Sequence, residues 1–594
     1  MANELKKRNE MDPGYQWDLR AIFPDHDAWL KAYDEADRAI AGIPAVQGTL
    51  GESCETLKAG LDTVYGAAEK MEKVYVFAML QKSGDNGDPS YQEDEARAQS
   101  LAVRFSTYAA FLEPEILAID PETLEEYRKS PLLATYAHML DDAVRGRAHT
   151  LDAEREKMLA MLGDAAGGFS NTFDMFESVD MTFPSTHDED GREVALTHGN
   201  FAAFRESRSQ DVRRESFEKY FGEFKKYINT LAATYSGSVK MDCYYSDVRG
   251  FDSACERALF GRNVPVAVYD SLTEAVHEAL PTMERYLALR RRVLGLDVLN
   301  MYDLYCPMVE DVEFKIPFEE AKELVKKATA PLGEEYRKLL DRAFSEHWID
   351  VYENKGKSTG AFSCGVYGVH PYVLLNYTDT LDDAFTLAHE LGHSMHSYFS
   401  DTTRDFVNHD YEITVAEVAS TVNEVLLTKY LLEVETDKKR RAYILNHFLE
   451  GFRTTVFRQT LFAEFERIAH DMYKRGEPLT AQSLNAVYRK LNELYYKGAF
   501  VNELQDIEWA RIPHFYRAFY VYQYATGFCS AVAIADAIKK TGDASRYLEF
   551  LATGGSDYPL EELKIAGVDL SDPATVKNAM RVFDESLSEL EAIL

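Results

Sequence analysis

The 594-residue sequence predicts a mainly α-helical protein, a large multi-helix body carrying one small β-sheet. Three observations predict it. Apolar residues recur at helical spacing over most of the chain, as at Leu57, Leu61, Val64 and Tyr65 and then Met71, Val74 and Tyr75. Runs with strand character are short and few. No Ser- or Pro-rich linker, low-complexity tract or clear repeat divides the chain, so a continuous helical body with lobes is expected.

Taken in order, helical periodicity covers about residues 25–162 and breaks at the glycines of residues 163–168. Residues 179–183 and 193–197 flank a turn containing Asp190 and Gly191, which predicts a β-hairpin. From Asn200 the chain reads as helical again to Leu594, interrupted by strands near Val351 and Tyr352, at residues 361–367 and at residues 372–377. These strands lead directly into the most informative helix. We therefore divide the sequence into an N-terminal helical region, 1–198, ending in the hairpin, and a second domain, 199–594.

That helix starts at Thr380, an N-cap type with Asp383 three residues on. Leu381, Ala384, Phe385, Ala388, Leu391 and Met395 form an apolar stripe along it. Within it lies His389-Glu390-Leu391-Gly392-His393. Residues four apart share a helix face, so His389 and His393 can grip one metal ion while Glu390 stands beside the metal's open position. This is the zinc-protease HExxH arrangement, which arises by chance in roughly a few per cent of chains this long. Gly392 costs on the order of 1 kcal/mol against Ala in mid-helix, which predicts a backbone or ligand passing close to that turn.

Two imidazoles leave zinc short of a third protein ligand. A metzincin would place Gly and His where this chain has His396 and Phe399, so that class fails. A carboxylate from the next helix, residues 413–432, is the remaining source. Glu417 and Glu424 lie seven apart on it, hence on one face, and Glu412 sits at its start. Val415, Val418, Ala419, Val422 and Val425 make this helix mostly buried, where an unpaired Glu is costly. We assign Glu417 as the third ligand and Glu424 as a carboxylate orienting a ligand. One Zn2+ per chain is expected, with water in the fourth position, and His396 is read as packing or lining.

The run from Thr380 through His389-Glu390-Leu391-Gly392-His393 to Ser397, followed by Val415-Ala-Glu-Val-Ala-Ser-Thr-Val-Asn-Glu424, resembles oligoendopeptidase F, one of the thimet-oligopeptidase-like zinc peptidases. Ala510-Arg-Ile-Pro-His-Phe-Tyr516, Phe519-Tyr-Val-Tyr-Gln-Tyr-Ala-Thr-Gly527 and Gly554-Gly-Ser-Asp-Tyr-Pro559 carry the resemblance further, as does the order of helices, hairpin and helices. It spans nearly the whole chain. It implies a zincin-like catalytic peptidase domain at 199–594, a deep or enclosed substrate channel, and a small sheet whose edge faces the cleft. Substrate would then add as a strand along Tyr372, Leu374 and Asn376. In such peptidases a His and Tyr residues of the C-terminal region bind substrate. His514 carries over. Tyr520 is favoured as the oxyanion donor, with Tyr522 next and other phenols still open, against the plainer reading of an aromatic core helix. Residues 355–360 tempt toward a phosphate loop, but Val351 stands where such a loop needs Gly, so a flexible loop beside the strands is expected.

Composition limits the partners. With 99 acidic and 65 basic residues the net charge is −34, which argues against nucleic acid or an anionic membrane. No secretory h-region or membrane-length apolar run is seen, and the six cysteines are scattered, so reduced thiols and a cytoplasmic location are expected. The function predicted is zinc-dependent endopeptidase action on short, unstructured oligopeptides. A gluzincin exopeptidase is the enzymatic alternative, disfavoured as an aminopeptidase by the lack of a Gly-x-Met-Glu-Asn motif. A non-catalytic acidic helical zinc protein is the other, though it would have no use for Glu390. Oligomeric state and cleavage preference are not legible.

Overall fold

In the computed structural model, which describes residues 5–309 and 315–594, the chain forms two units of three segments each. Of the N-terminal stretch read above for a leader, residues 1–4 lie outside the described residues. Unit 1 comprises residues 1–148, 314–430 and 534–568, and unit 2 comprises 149–313, 431–533 and 569–594. The sequence division at 198 falls inside unit 2.

Unit 1 opens with three helices, α1 (His26–Gly42), α2 (Cys54–Gly84) and α3 (Pro89–Ala109). Each start is capped: the side chains of Asp25, Ser53 and Asp88 accept from backbone N–H groups of the first turn. Trp29 of α1 is fully buried and donates its indole N–H to the Val74 carbonyl of α2 at 3.0 Å. It anchors a core with Ile40, Val64 and Phe77.

Unit 2 begins with α4 (Ala153–Met175). This corrects the expected break at residues 163–168, through which the helix runs. Its neighbour is α5 (Ile228–Val248), in which Gly237 faces Phe169: a Cβ there would lie 2.2 Å from the Phe169 ring. The glycines of α4 cost propensity, and the aromatic packing beside them carries the helix through. The hairpin also moves. Its strands are β1 (Thr186–His187) and β2 (Glu193–Val194), paired antiparallel as Thr186↔Val194 and His187↔Glu193. Residues 176–180 instead form a π-helical turn continuing α4.

The second segment of unit 1 carries a three-stranded sheet of β3 (Ile349–Asp350), β4 (Phe362–Cys364) and β5 (Tyr372–Leu374), in the order β3-β5-β4. β5 is parallel to β3 and antiparallel to β4. Tyr372 and Leu374 are fully buried against Trp17, Val76 and Leu80, fixing the sheet on α2. The loop at residues 355–360 is not free. Lys357 is buried, its ammonium 2.7 Å from Asp350, which also takes Arg8 at 2.5 Å. A buried ion triad therefore pins the loop to β3.

Two long helices follow, α6 (Leu381–Thr403) and α7 (Ile413–Val434). Thr380 and Asp383 form the expected capping box on α6. Among the described residues no helix is long and apolar enough to cross a membrane. All six cysteines are free thiols.

Candidate active site

Gly392 explains how α6 meets α7. A Cβ on it would stand 2.6 Å from the Ser420 Cα and 2.7 Å from the Ala419 carbonyl oxygen. The expected close approach is thus the backbone of the helix that carries Glu417. Asn423 locks the pair, donating to the Ala388 carbonyl at 3.0 Å and accepting from the Tyr336 hydroxyl at 2.9 Å. Neither Asn423 nor Tyr336 was singled out from sequence, although Asn423 lies inside the quoted Val415–Glu424 run.

This packing brings together ligand atoms of His389, His393 and Glu417, all within 4.8 Å of one another. His389 Nε2 and His393 Nε2 face each other at 3.2 Å, and Glu417 Oε2 is 3.7 Å from His389 Nε2. Two nitrogens each bonded to a tetrahedral zinc at 2.0–2.1 Å lie about 3.3 Å apart, so the separation suits one shared ion. Glu424 does not join this group. Its Oε1 is 2.5 Å from His389 Nδ1, which fixes the ring with Nε2 toward the shared point, able to ligate once its proton is displaced. Glu412 is likewise outside the trio.

The electrostatics suit a cation. Burial works against charge on His389, but Glu424, with Glu390 and Glu417, outweighs it and holds the ring up at about 9. Burial, and then His389, push His393 down to about 3. The carboxylates of Glu424, Glu390 and Glu417 thus favour one positive charge here and not two, which a single metal ion shared by both rings would supply. Glu390 is 7 % exposed and near enough to His389 and Glu417 to feel both, without belonging to the trio. Burial raises its carboxyl to about 7; Glu417 and Glu424 add to the rise, and His389 and the Ser363 backbone N–H offset part of it. Ser363, in β4, also shares a 2.9 Å hydroxyl contact with Ser394 of α6.

β4, then, is the strand that touches Glu390. Of the strand expected to pair with a peptide, residues 372–377, the part that forms, Tyr372–Leu374, is the middle strand and has no free edge. Tyr372 donates its hydroxyl to the Asp18 carbonyl, and Leu374 is core. Asn376 borders an open cleft with Gly360, Ala361 and Thr386, but its amide N–H groups go to the Ser358 and Gly360 carbonyls. Sequence conveyed strand character, while order within a sheet depends on pairing between distant segments.

His396 is buried and stacked on Tyr411 at 3.6 Å, a packing residue as expected. His514 and the tyrosines lie in unit 2. His514 is exposed, with the Tyr520 ring 6.4 Å away and near-parallel, and Tyr524 is edge-on to both. Tyr522 faces the other way. It is 3 % exposed and packs on Tyr269. Phe519, just before Tyr520, has φ +57°, an outlier for a bulky residue. Its N–H donates to the fully buried Glu466 carboxyl group at 3.0 Å, which holds the turn presenting Tyr520. Nothing in the sequence marked Glu466.

Residues 203–582 match peptidase family M3, and residues 115–183 match Oligopeptidase F. The chain is 42% identical to Oligopeptidase PepF of Bacillus subtilis, over 100% of this chain and 89% of that protein. It is 39% identical to Group B oligopeptidase PepB of Streptococcus agalactiae, over 99% and 98%. The crystal structure of a putative peptidase from Chlamydophila abortus superposes with a TM-score of 0.94 at 32% identity, covering 100% of both chains. That of oligoendopeptidase-F from Enterococcus faecium superposes at 0.73 and 37% identity, covering 95% of this chain and 98% of that one.

Proposed function

The chain belongs to peptidase family M3 and is a zinc-dependent oligopeptidase, and we propose that it cleaves short, unstructured peptides internally, with His389, His393 and Glu417 holding one zinc ion and Glu390 as the base. The observation that carries the ligand set is the facing pair of imidazole Nε2 atoms at 3.2 Å, with Glu417 beside them. Zinc supplies Lewis acidity there, polarising the scissile carbonyl and acidifying a water.

The chain's own groups do the rest. Glu424 keeps His389 in the tautomer that presents Nε2. Glu390, raised toward neutrality by burial, takes the proton of the attacking water and passes it to the departing amine. An extended peptide lies along β4, whose Ser363 N–H already reaches Glu390; the buried middle strand β5 is thereby relieved of that role. His514 and Tyr520 donate to the developing oxyanion, a reading supported by the exposed ring of His514 and by the family resemblance of this segment. Tyr524 is the competing phenol. Six free thiols support a reducing, cytoplasmic setting.

Quenched-fluorescent peptides of graded length with both ends blocked test the reading. Internal cleavage that a chelator abolishes, and that falls away for long or folded substrates, is expected. Resistance of every blocked peptide, with single-residue trimming of free ends, would make the protein an exopeptidase.

A further inference from the structure

Arg205 sits against the ring of Tyr305, its guanidinium carbon 3.8 Å from the centroid, yet it forms no ion pair or hydrogen bond among the described residues. Arg453 approaches the same ring at 4.5 Å. Both line a cavity of about 10 Å3 in unit 2, together with Tyr305, Arg458, Tyr496 and Glu508. We propose that this cavity is a binding site for one small monovalent anion of halide size, held by Arg205, Arg453 and the Tyr305 hydroxyl.

The charges around it do not balance. Five guanidiniums, of Arg205, Arg290, Arg453, Arg458 and Arg511, meet two carboxylates. Glu450 is taken by Arg290 at 2.6 Å and Arg453 at 2.5 Å. Glu508 is taken by Arg458 at 2.6 Å, Arg511 at 3.5 Å, the Tyr488 hydroxyl and the Gln505 amide. Asp303, close in sequence, is committed to Arg213 at 2.7 Å. What remains is donors without acceptors: Arg205 Nε, Arg453 Nη1 and Arg511 Nε are buried with no hydrogen-bond partner among the described residues. Burial opposes the charge on Arg205 accordingly. A buried guanidinium without a counter-charge is costly, and a water molecule would satisfy hydrogen bonds while leaving that charge uncompensated.

Two further features agree. Arg453 projects from a π-helical segment, Phe452–Phe457, between the helices Lys438–Gly451 and Arg458–Lys474, an irregularity that recurs at functional sites. The cavity also has room for about one water-sized species, which excludes a peptide carboxylate or a phosphate. The internal competitor is the Tyr305 phenol itself: burial would raise it, but Arg458, Arg205 and Arg453 bring it down to about 7. One half-ionised phenolate does not offset the excess, whereas a neutral phenol donating to a bound anion adds a further ligand.

Bromide is the probe. Crystals of the full chain grown in sodium bromide should show an anomalous peak in this cavity at the bromine edge. At constant ionic strength, replacing gluconate by chloride or bromide should raise Tm saturably in the wild type, as for any ligand of the native state. Arg205→Leu should lose both responses; should that variant not fold, the wild-type peak and titration decide alone. Absence of the peak overturns the proposal. So does a peak without a saturable Tm response below about 0.2 M, the signature of occupancy at crystal concentration only. So too does absorbance near 295 nm at neutral pH that Tyr305→Phe removes while halide has no effect, because the phenolate would then be the resident anion.

Discussion

Two facts about one side chain support Glu390 as the proposed base: it is buried, and it stands beside the trio instead of within it. Glu390→Gln keeps the shape and hydrogen bonds but cannot take a proton. Zinc content by atomic absorption should be unchanged while kcat falls by about 10²–10⁴, the range for loss of a general base. Zinc loss from the folded variant would move Glu390 into the ligand set. Glu417 and Glu424 separate by the same logic, the first facing both imidazoles and the second holding His389 from behind. Glu424→Ala should weaken zinc affinity about 10–100-fold and Glu417→Ala by considerably more; the reverse order would exchange their roles. For His514→Ala and Tyr520→Phe, a kcat loss of about 10²–10³ with little change in KM is expected of oxyanion donors. A raised KM at wild-type kcat would make them binding residues. At this scale sequence was most informative where a single helix carries the pattern, because helical spacing converts residue number directly into a shared face. Ser363, Asn423 and Glu466 escaped notice because each acts through a hydrogen bond between a backbone group and a side chain of separate segments.

Helix α6 is where local preference and packing oppose each other. Propensity alone says that Gly392→Ala should stabilise by about 1 kcal/mol. The contact at 2.6 Å is with backbone, which cannot swing aside, so overpacking by about 1–3 kcal/mol should dominate. Calorimetry should find a lower Tm and weaker zinc binding, since α7 would be pushed off with Glu417. A raised Tm would sink the account. The far end of α6 carries a pH-dependent tie. His409 lies between Asp401 of α6, at 2.9 Å, and Glu72 of α2, at 3.4 Å. Burial resists its charge, but the two carboxylates outweigh this and raise it to about 9. A raised His stabilises fully below its ordinary value near 6.5 and loses that contribution as pH climbs through about 9. The Tm difference between wild type and His409→Gln should therefore be large at pH 6 and close by pH 10. A gap that widens with pH would contradict the ion pair. The elements themselves were legible wherever caps and periodicity coincide, as at Thr380 and Asp383. They were misplaced where tertiary packing overrides composition, as in α4, whose glycines run on beside Phe169.

On the scale of the whole chain, mainly helical architecture followed from periodicity, but the interleaving of two units did not, because segments far apart in sequence join each unit. That interleaving makes zinc removal a discriminating experiment. The three proposed ligands all lie in unit 1, on α6 and α7. Stabilisation by a ligand of the native state acts on every opening that breaks its site, and at a thousandfold excess over Kd amounts to about 4 kcal/mol. Openings that leave the site intact feel none of it. Chelation should therefore abolish activity and accelerate amide exchange across Leu381–Thr403 and the first turns of Ile413–Val434. Amides of Ile228–Val248 and Arg458–Lys474, which belong to unit 2, should keep their protection. Restoring zinc should restore both activity and exchange rates. Equal loss of protection in both units would mean that they open as one, with zinc stabilising only the global transition. Unchanged exchange in α6 and α7, with activity lost, would place the catalytic metal away from His389, His393 and Glu417.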